Sequence, residues 1–152
     1  MKEKLPWVLV LCLSTSLFGQ IDGGRLKNFN VRKGIMLEGY DPVSYFVNHP
    51  VEGDDDIQYK YKGVTYQFAS KANLDTFKAS PEKYEPAYGG WCAYAMGETG
   101  EKVKIDPETF KIIDGKLYVF YNFWGNNTME TWDKNEKQLK PKGDANWKKF
   151  VP

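Results

Sequence analysis

Of the two cysteines in this sequence, Cys12 lies in an apolar N-terminal run, and the available chemistry centres on the other thiol and a nearby thioether. Cys92 follows Gly89-Gly90 where we expect a helix to begin, and Met96 lies four residues later on the same helical face. Unpaired N–H groups at a helix start favour a thiolate and lower the pKa of the thiol. A thiolate beside a thioether suits Cu(I), which prefers soft sulfur ligands. The pair therefore predicts a copper site or a reactive thiol.

The opposing interpretation makes Cys92 and Met96 ordinary core residues. Free cysteine is among the most buried residue types, and methionine fills irregular gaps between other side chains. In that case neither sulfur meets a ligand. The sequence alone leaves both interpretations open.

His49 is the only histidine of the chain. It stands in Asn48-His49-Pro50, a loop pattern in which the imidazole is usually an exposed surface group. It would complete a metal site, or serve a thiol-dependent enzyme or redox protein, only if the fold brought it close to Cys92. The candidate metal ligands are thus Cys92, Met96 and His49.

Three aspartates, Asp41, Asp106 and Asp114, each adjoin a proline or a glycine. Carboxylates in such positions usually accept hydrogen bonds from the backbone of a turn or a cap. Their long spacing offers no acid–base pair. We therefore predict no catalytic residue and no enzymatic activity.

Aromatic side chains make up 16% of the chain and are plentiful in its second half. They predict either a ligand pocket lined by rings or an ordinary core, and the sequence does not separate the two. The residues concerned are Tyr88, Trp91, Tyr94, Tyr118, Tyr121, Trp124 and Trp132.

Two β-hairpins and several helices are expected to position these groups. Residues 57–68 alternate around Lys62-Gly63, and residues 110–121 surround Asp114-Gly115, a strong signal for a tight turn. Ser70 and Ser80 stand where helix caps are expected.

The pattern from residue 122 onward is helical until Pro141 interrupts it, and Trp124 falls within that stretch. The whole pattern predicts an α+β fold, with a small antiparallel sheet built from the two hairpins and packed against several short helices in a single domain.

The stretch between residues 41 and 84 contains a spaced pattern made of Asp41, Pro42, Val43, Tyr61, Gly63, Tyr66, Phe68, Ser70, Phe77, Pro81 and Tyr84. This pattern resembles the YHS domain. Three further positions of the YHS pattern carry thiols, and here they are Ser44, Ala69 and Asn73.

The similarity continues through Tyr88-Gly89-Gly90-Trp91-Cys92-Ala93 to Asp144-Ala145-Asn146-Trp147, and so covers about residues 36–147. In that longer order the chain resembles an exported form of YHS-domain protein. Cysteine-bearing YHS domains are associated with sensing and transport of copper and other soft metals. The resemblance implies the scaffold, but Ser44, Ala69 and Asn73 supply no thiolate for that role.

The N-terminus has the layout of a secretory signal peptide. Lys2 and Lys4 precede an apolar run from Leu5 to Leu13, which is too short to span a bilayer. We therefore predict a signal peptide over residues 1–19, a flexible leader over 20–34 and a YHS-like domain over 35–152. The mature protein would be secreted or periplasmic.

Removing residues 1–19 takes two of the 21 basic and one of the 20 acidic residues, which leaves 19 of each. A neutral chain with scattered basic residues has no electrostatic footprint for nucleic acid. The predicted function is a non-enzymatic exported YHS-domain protein that binds a soft metal ion, with Cu(I) as the candidate, or a small ligand in the cell envelope. The alternatives are a metal-free structural or protein-interaction module and a thiol-dependent redox protein centred on Cys92.

Overall fold

The computed structural model describes residues 23–151 of the chain. Its mixture of helices and strands confirms the predicted α+β fold. The strands are β1 (Val31–Arg32), β2 (Ile35–Met36), β3 (Asp54–Tyr61), β4 (Val64–Phe68), β5 (Asp106–Ile113), β6 (Lys116–Phe120), β7 (Asn122–Phe123) and β8 (Asn126–Asn127). The helices are α1 (residues 23–28), α2 (Lys71–Ala79), α3 (Pro81–Tyr84), α4 (Ala93–Glu98) and α5 (Thr128–Trp147). The predicted signal peptide, residues 1–19, lies outside the described residues.

The largest sheet has the strand order β1-β2-β4-β3, in which β2 and β4 run parallel and the other pairs antiparallel. The first predicted hairpin is confirmed, since Lys62 and Gly63 join β3 to β4 with φ angles of 45° and 83°. Two successive positive φ angles are typical of the tight turn that matches the twist of a hairpin.

The second predicted hairpin, β5–β6, is also confirmed, and Asp114 and Gly115 turn it with φ angles of 51° and 74°. It forms a separate two-stranded sheet, so the hairpins do not share one sheet as expected. The edge of β4 that does not pair with β3 pairs with β2, where Ile35 lies opposite Thr65.

Two predictions for the C-terminal third are wrong. Trp124 lies in no helix, because β7 and β8 form a short hairpin with Trp124 and Gly125 at its turn. Helix α5 is kinked at Asn135, where φ is −134°, and its second part continues through Pro141. The flanking Leu139 and Gly143 are buried, with Leu139 against Gly97 of α4 and Gly143 against the ring of Tyr88, which holds the helix on both sides of the proline.

Residues 23–34, predicted as part of a flexible leader, are folded onto the rest of the protein. Arg25 reaches the carboxylate of Glu85, and the buried ring of Phe29 lies 5.6 Å from that of Trp147, centroid to centroid. The N–H of Asn30 donates to the carbonyl of Gly89 at 2.8 Å. An aromatic ring and a backbone hydrogen bond therefore anchor a segment in which the sequence shows no periodicity.

The core consists of two clusters of buried side chains. In the first, Phe77 from α2 packs on Tyr66 and Phe68 of β4, with ring centroids 4.7 and 5.2 Å apart. In the second, Trp132 from α5 packs on Phe120 of β6 at 5.6 Å. None of the helices that the structure describes is both long and apolar enough to cross a membrane.

Candidate functional site

The three positions that would carry thiols meet around Asp41, whose side chain is fully buried. Its Oδ2 accepts hydrogen bonds from the N–H of Ala69 at 2.9 Å and from Nδ2 of Asn73 at 2.7 Å. Its Oδ1 accepts from the N–H of Val43 at 2.8 Å, and Ser44 donates its hydroxyl to the Asp41 carbonyl at 2.6 Å. We call these five residues the Asp41 network.

The Asp41 network does not fit a soft metal ion. Ala69 offers only its backbone N–H, and the Ser44 hydroxyl is occupied because it also accepts from the N–H of Val51 at 3.1 Å. Asn73 presents its NH2 group, since an ionised carboxylate can only accept. At two of the positions where a metal-binding YHS domain would present thiolates, Ala69 and Asn73 present N–H donors instead. These donors bind the Asp41 carboxylate.

Helix α2 supports the Asp41 network from one side. Ser70 caps the helix as predicted, with its Oγ accepting from the N–H of Asn73 at 3.1 Å. The cap thus fixes the first turn of α2 and with it Asn73, whose side chain donates to Asp41.

Cys92 directly precedes α4, as predicted, and its side chain is fully buried. Its Sγ accepts from the N–H of Tyr121 at 3.3 Å and lies 3.5 Å from Oγ1 of Thr128. The Thr128 hydroxyl proton is directed to the carbonyl of Tyr121 at 2.8 Å. Both contacts of the Cys92 sulfur are therefore made with residues of the protein.

The other two candidate ligands lie in different surroundings. Met96 is fully buried in the cluster with Phe120 and Trp132, whereas Cys92 belongs to the other cluster. His49 is exposed on the loop before β3 and is not among the residues around the cavity of about 250 Å³ beside Cys92. Within residues 23–151 no three or more His, Cys, Asp or Glu side chains are grouped to hold a metal ion.

A second cavity, of about 270 Å³, lies between the Ala87–Gly90 turn, β6, α5 and the N-terminal segment. We call it the Tyr88 pocket. Four aromatic rings and three ionisable side chains are among the residues that line it: Phe29, Tyr88, Tyr118, Trp147, Glu85, Lys116 and Asp144.

The backbone around Tyr88 is shaped by close contacts. Tyr88 and Gly89 have left-handed φ angles of 53° and 57°, and this conformation is strained for a tyrosine. A Cβ on Gly89 would lie 2.6 Å from the Trp147 ring, and one on Gly143 would lie 2.7 Å from the Tyr88 hydroxyl. Both glycines are therefore needed for the rings to approach as closely as they do.

The two carboxylates of the Tyr88 pocket have partners within the protein. Glu85 is buried and accepts hydrogen bonds from the guanidinium of Arg25 and the hydroxyl of Tyr66. Asp144 accepts from the Tyr88 hydroxyl at 2.9 Å and forms an ion pair with Lys140 at 3.5 Å. Burial and the hydrogen bond to Asp144 raise the pKa of Tyr88, which keeps the hydroxyl a donor.

Lys116 is the exception among these charged groups. Its Nζ donates to the main-chain carbonyl of Glu82 at 3.0 Å, and no carboxylate in the described part of the chain forms an ion pair with it. Burial lowers the pKa of Lys116, although the carboxylates of Glu85 and Glu82 act in the opposite direction. The pocket thus contains one cation whose charge no neighbour matches directly.

The sequence anticipated part of the Tyr88 pocket. Tyr88 and Tyr118 belong to the predicted aromatic set and do meet there, with centroids 5.5 Å apart. Phe29 and Trp147 lie outside that set, and the sequence pattern places Lys116 only in a hairpin. Phe29 and Trp147 are far apart in the chain, and Lys116 is the first residue of β6, so only the tertiary fold brings the three together.

Comparison with known proteins gives a family match for one part of the chain. A model of the YHS domain matches residues 43–88, less than a third of the 152 residues, and that stretch includes Ser44, Ala69, Asn73 and Tyr88. No curated protein and no solved structure matches the chain. A YHS domain is therefore detected at residues 43–88.

Proposed function

We propose that this protein is a non-enzymatic binding protein in which a YHS scaffold holds a small organic molecule in the Tyr88 pocket. The observation that carries the proposal is the pocket itself, with aromatic walls and a cation that has no carboxylate partner. Small-molecule sites are typically concave and largely apolar, with a few polar groups placed to orient the ligand.

The structure gives a soft metal less support than a small molecule. The Asp41 network presents N–H donors at the thiol positions, and the thiol of Cys92 is hydrogen-bonded within the core. Copper binding by Cys92 and Met96 would have to displace those contacts. A Cu(I) titration distinguishes the two possibilities.

We also propose that the protein works outside the cytoplasm, in the periplasm or as a secreted protein. The support is the basic, apolar and small-residue pattern of residues 1–19. Intact-mass measurement of protein recovered from an envelope fraction tests it. A mass that still includes residues 1–19 would contradict export with cleavage.

The test of ligand binding is chemical-shift mapping with small ring compounds that carry neutral, anionic or cationic groups. We expect at least one class to shift the resonances of Tyr88, Tyr118 and the Trp147 indole in a saturable way. Resonances around Cys92 and His49 serve as internal controls. If no compound moves the pocket resonances, or if the shifts cluster elsewhere, the proposed site is wrong.

One observation favours a second candidate function, a protein-interaction module. Trp124 is 86% exposed at the β7–β8 turn, beside Phe123, and Lys104 lies 4.9 Å from its ring centroid. An exposed tryptophan is typical of interface hot spots. A partner retained by the parent protein and lost by Trp124→Ala, with unchanged thermal unfolding, would establish this function, and equal retention would remove it.

A further inference from the structure

Lys116 has no carboxylate partner among the described residues, and this indicates the class of ligand that the Tyr88 pocket binds. An ammonium group has three N–H donors. One of them is used by the carbonyl of Glu82 at 3.0 Å, and that acceptor is neutral. Lys116 therefore lines the pocket with two N–H donors that bond to no described residue, and no described carboxylate forms an ion pair with it.

The neighbouring carboxylates are not free to neutralise it. Glu85 is engaged by Arg25 and Tyr66, and Asp144 by Tyr88 and Lys140. A ligand anion would supply what is missing, because hydrogen bonds between ionised groups are about twice as strong as neutral ones. Glu85 and Asp144 would repel a ligand that carries several negative charges. Among anionic ligands, a monoanion therefore fits best.

The walls define the rest of the ligand. Phe29, Tyr88, Tyr118 and Trp147 are the aromatic residues that line the cavity. A dry apolar cavity of about 150 Å³ is enough to hold benzene. The Tyr88 pocket, at about 270 Å³, has room for one ring with a short side chain and little more.

We propose that the Tyr88 pocket binds a small planar-ring carboxylate, with its ring among Phe29, Tyr88 and Trp147 and its carboxylate on the ammonium of Lys116. This inference rests on the proposed function, since it names the ligand class for the same pocket. Lys116 acts as the residue that selects a carboxylate over a neutral ring of equal size.

The decisive experiment titrates three probes of nearly equal shape against the full-length protein: phenylacetate, phenylacetamide and 2-phenylethylamine. We expect phenylacetate to bind at least about tenfold more tightly than the amide, as one charged hydrogen bond implies, and the amine to bind most weakly. Calorimetry gives the affinities, and the Trp147 and Tyr88 resonances show where each probe lies.

The matched variants are Lys116→Met, which keeps the side-chain length and removes the charge, and Lys137→Met on the exposed surface of α5. Lys116→Met should lose the preference for phenylacetate and keep the affinity for phenylacetamide, while Lys137→Met should bind as the parent does. Equal affinity of the parent for acid and amide, with shifts in the pocket, would overturn the carboxylate inference and leave the proposed function standing. Absence of pocket shifts with every probe would overturn both.

If Lys116→Met fails to fold, a pH series on the parent protein tests whether Lys116 binds the carboxylate of the ligand. Because a carboxylate binds the protonated amine, phenylacetate affinity should fall as pH rises through the pKa of Lys116, which burial lowers. Phenylacetamide affinity should stay constant over that range. Parallel pH profiles for the two probes would exclude Lys116 as the anion-binding group.

Discussion

The Asp41 network and the Tyr88 pocket show two ways in which one small protein treats a charge removed from water. Asp41 is fully buried and accepts three hydrogen bonds from Val43, Ala69 and Asn73. Lys116 is partly buried and is matched only by one neutral carbonyl. A fully satisfied charge ties elements of the fold together, whereas an unsatisfied one remains available to a ligand.

Both regions fall at least partly within the stretch that matches the YHS domain, residues 43–88. The difference between them suggests that the position where the resemblance implies metal chemistry has become structural here. The Tyr88 pocket instead extends across the end of the match, with Glu85 and Tyr88 inside the matched stretch and Lys116 outside it. Four variants test that division, and their expected effects on stability range from several kcal/mol to about 0.5 kcal/mol.

Asp41→Ala should have the largest effect. It leaves the N–H groups of Val43 and Ala69 and the amide of Asn73 without their acceptor, at about 1–3 kcal/mol for each group that stays dry. We expect a loss of at least about 3 kcal/mol in the free energy of unfolding, measured by urea denaturation. Asn73→Ala, the control that removes one donor, should cost less, and a small effect of Asp41→Ala would show that water replaces the carboxylate easily.

Cys92→Ala should cost about 1–2 kcal/mol, because it removes a buried sulfur and leaves a small void in the core. In the folded protein the thiol should react with alkylating reagents only as fast as the protein opens. Both results would place Cys92 with Asp41 as a structural residue.

A Cu(I) titration tests the alternative role of Cys92, that of a metal ligand. If one equivalent binds, and if both Cys92→Ser and Met96→Leu weaken that binding, the sulfur pair is a metal site and the division proposed here is wrong. Protein without a polyhistidine tag is required, since the tag itself binds copper.

Tyr88→Phe should cost about 1 kcal/mol near neutral pH, through loss of the hydrogen bond from its hydroxyl to Asp144. Burial raises the pKa of Tyr88 in the folded protein, so the parent should keep this contribution below the ordinary tyrosine pKa of about 10 and lose it as pH rises further. The variant should show a shallower loss of stability above that pH. Identical curves for parent and variant would mean that Tyr88 does not contribute to alkaline unfolding.

Lys116→Met should have the smallest effect, a change of less than about 0.5 kcal/mol in either direction. Removing a poorly matched charge from a partly buried position costs little, and the methionine keeps most of the apolar stem. Thermal unfolding in the absence of ligand measures it. A loss above about 1 kcal/mol in the free energy of unfolding would show that Lys116, like Asp41, stabilises the fold. The two regions would then not differ in the way described.

The sequence predicted best what is decided locally. Lys62-Gly63 and Asp114-Gly115 fix their turns through positive φ angles, and Ser70 caps α2 through a residue three positions away. Asp41 was expected to bind the backbone of its own turn, and it does so through Val43.

What depends on distant partners could not be predicted. The residues near Asp41 in the sequence do not indicate that its Oδ2 accepts hydrogen bonds from Ala69 and Asn73. Helix α5 passes Pro141 because of contacts made with other elements, and a propensity argument stops at the proline. The Tyr88 pocket likewise needs Phe29 and Trp147, which lie more than one hundred residues apart in the chain.

The N-terminal segment forms one wall of the Tyr88 pocket. Phe29 lines the cavity and also belongs to the first core cluster. Its segment is attached through the Arg25–Glu85 ion pair, the hydrogen bond from Asn30 to Gly89 and three hydrogen bonds made by Asn28. Opening the cavity at this wall would therefore also withdraw an aromatic ring from the core, and exchange of the Asn30 amide hydrogen reports how often the segment detaches.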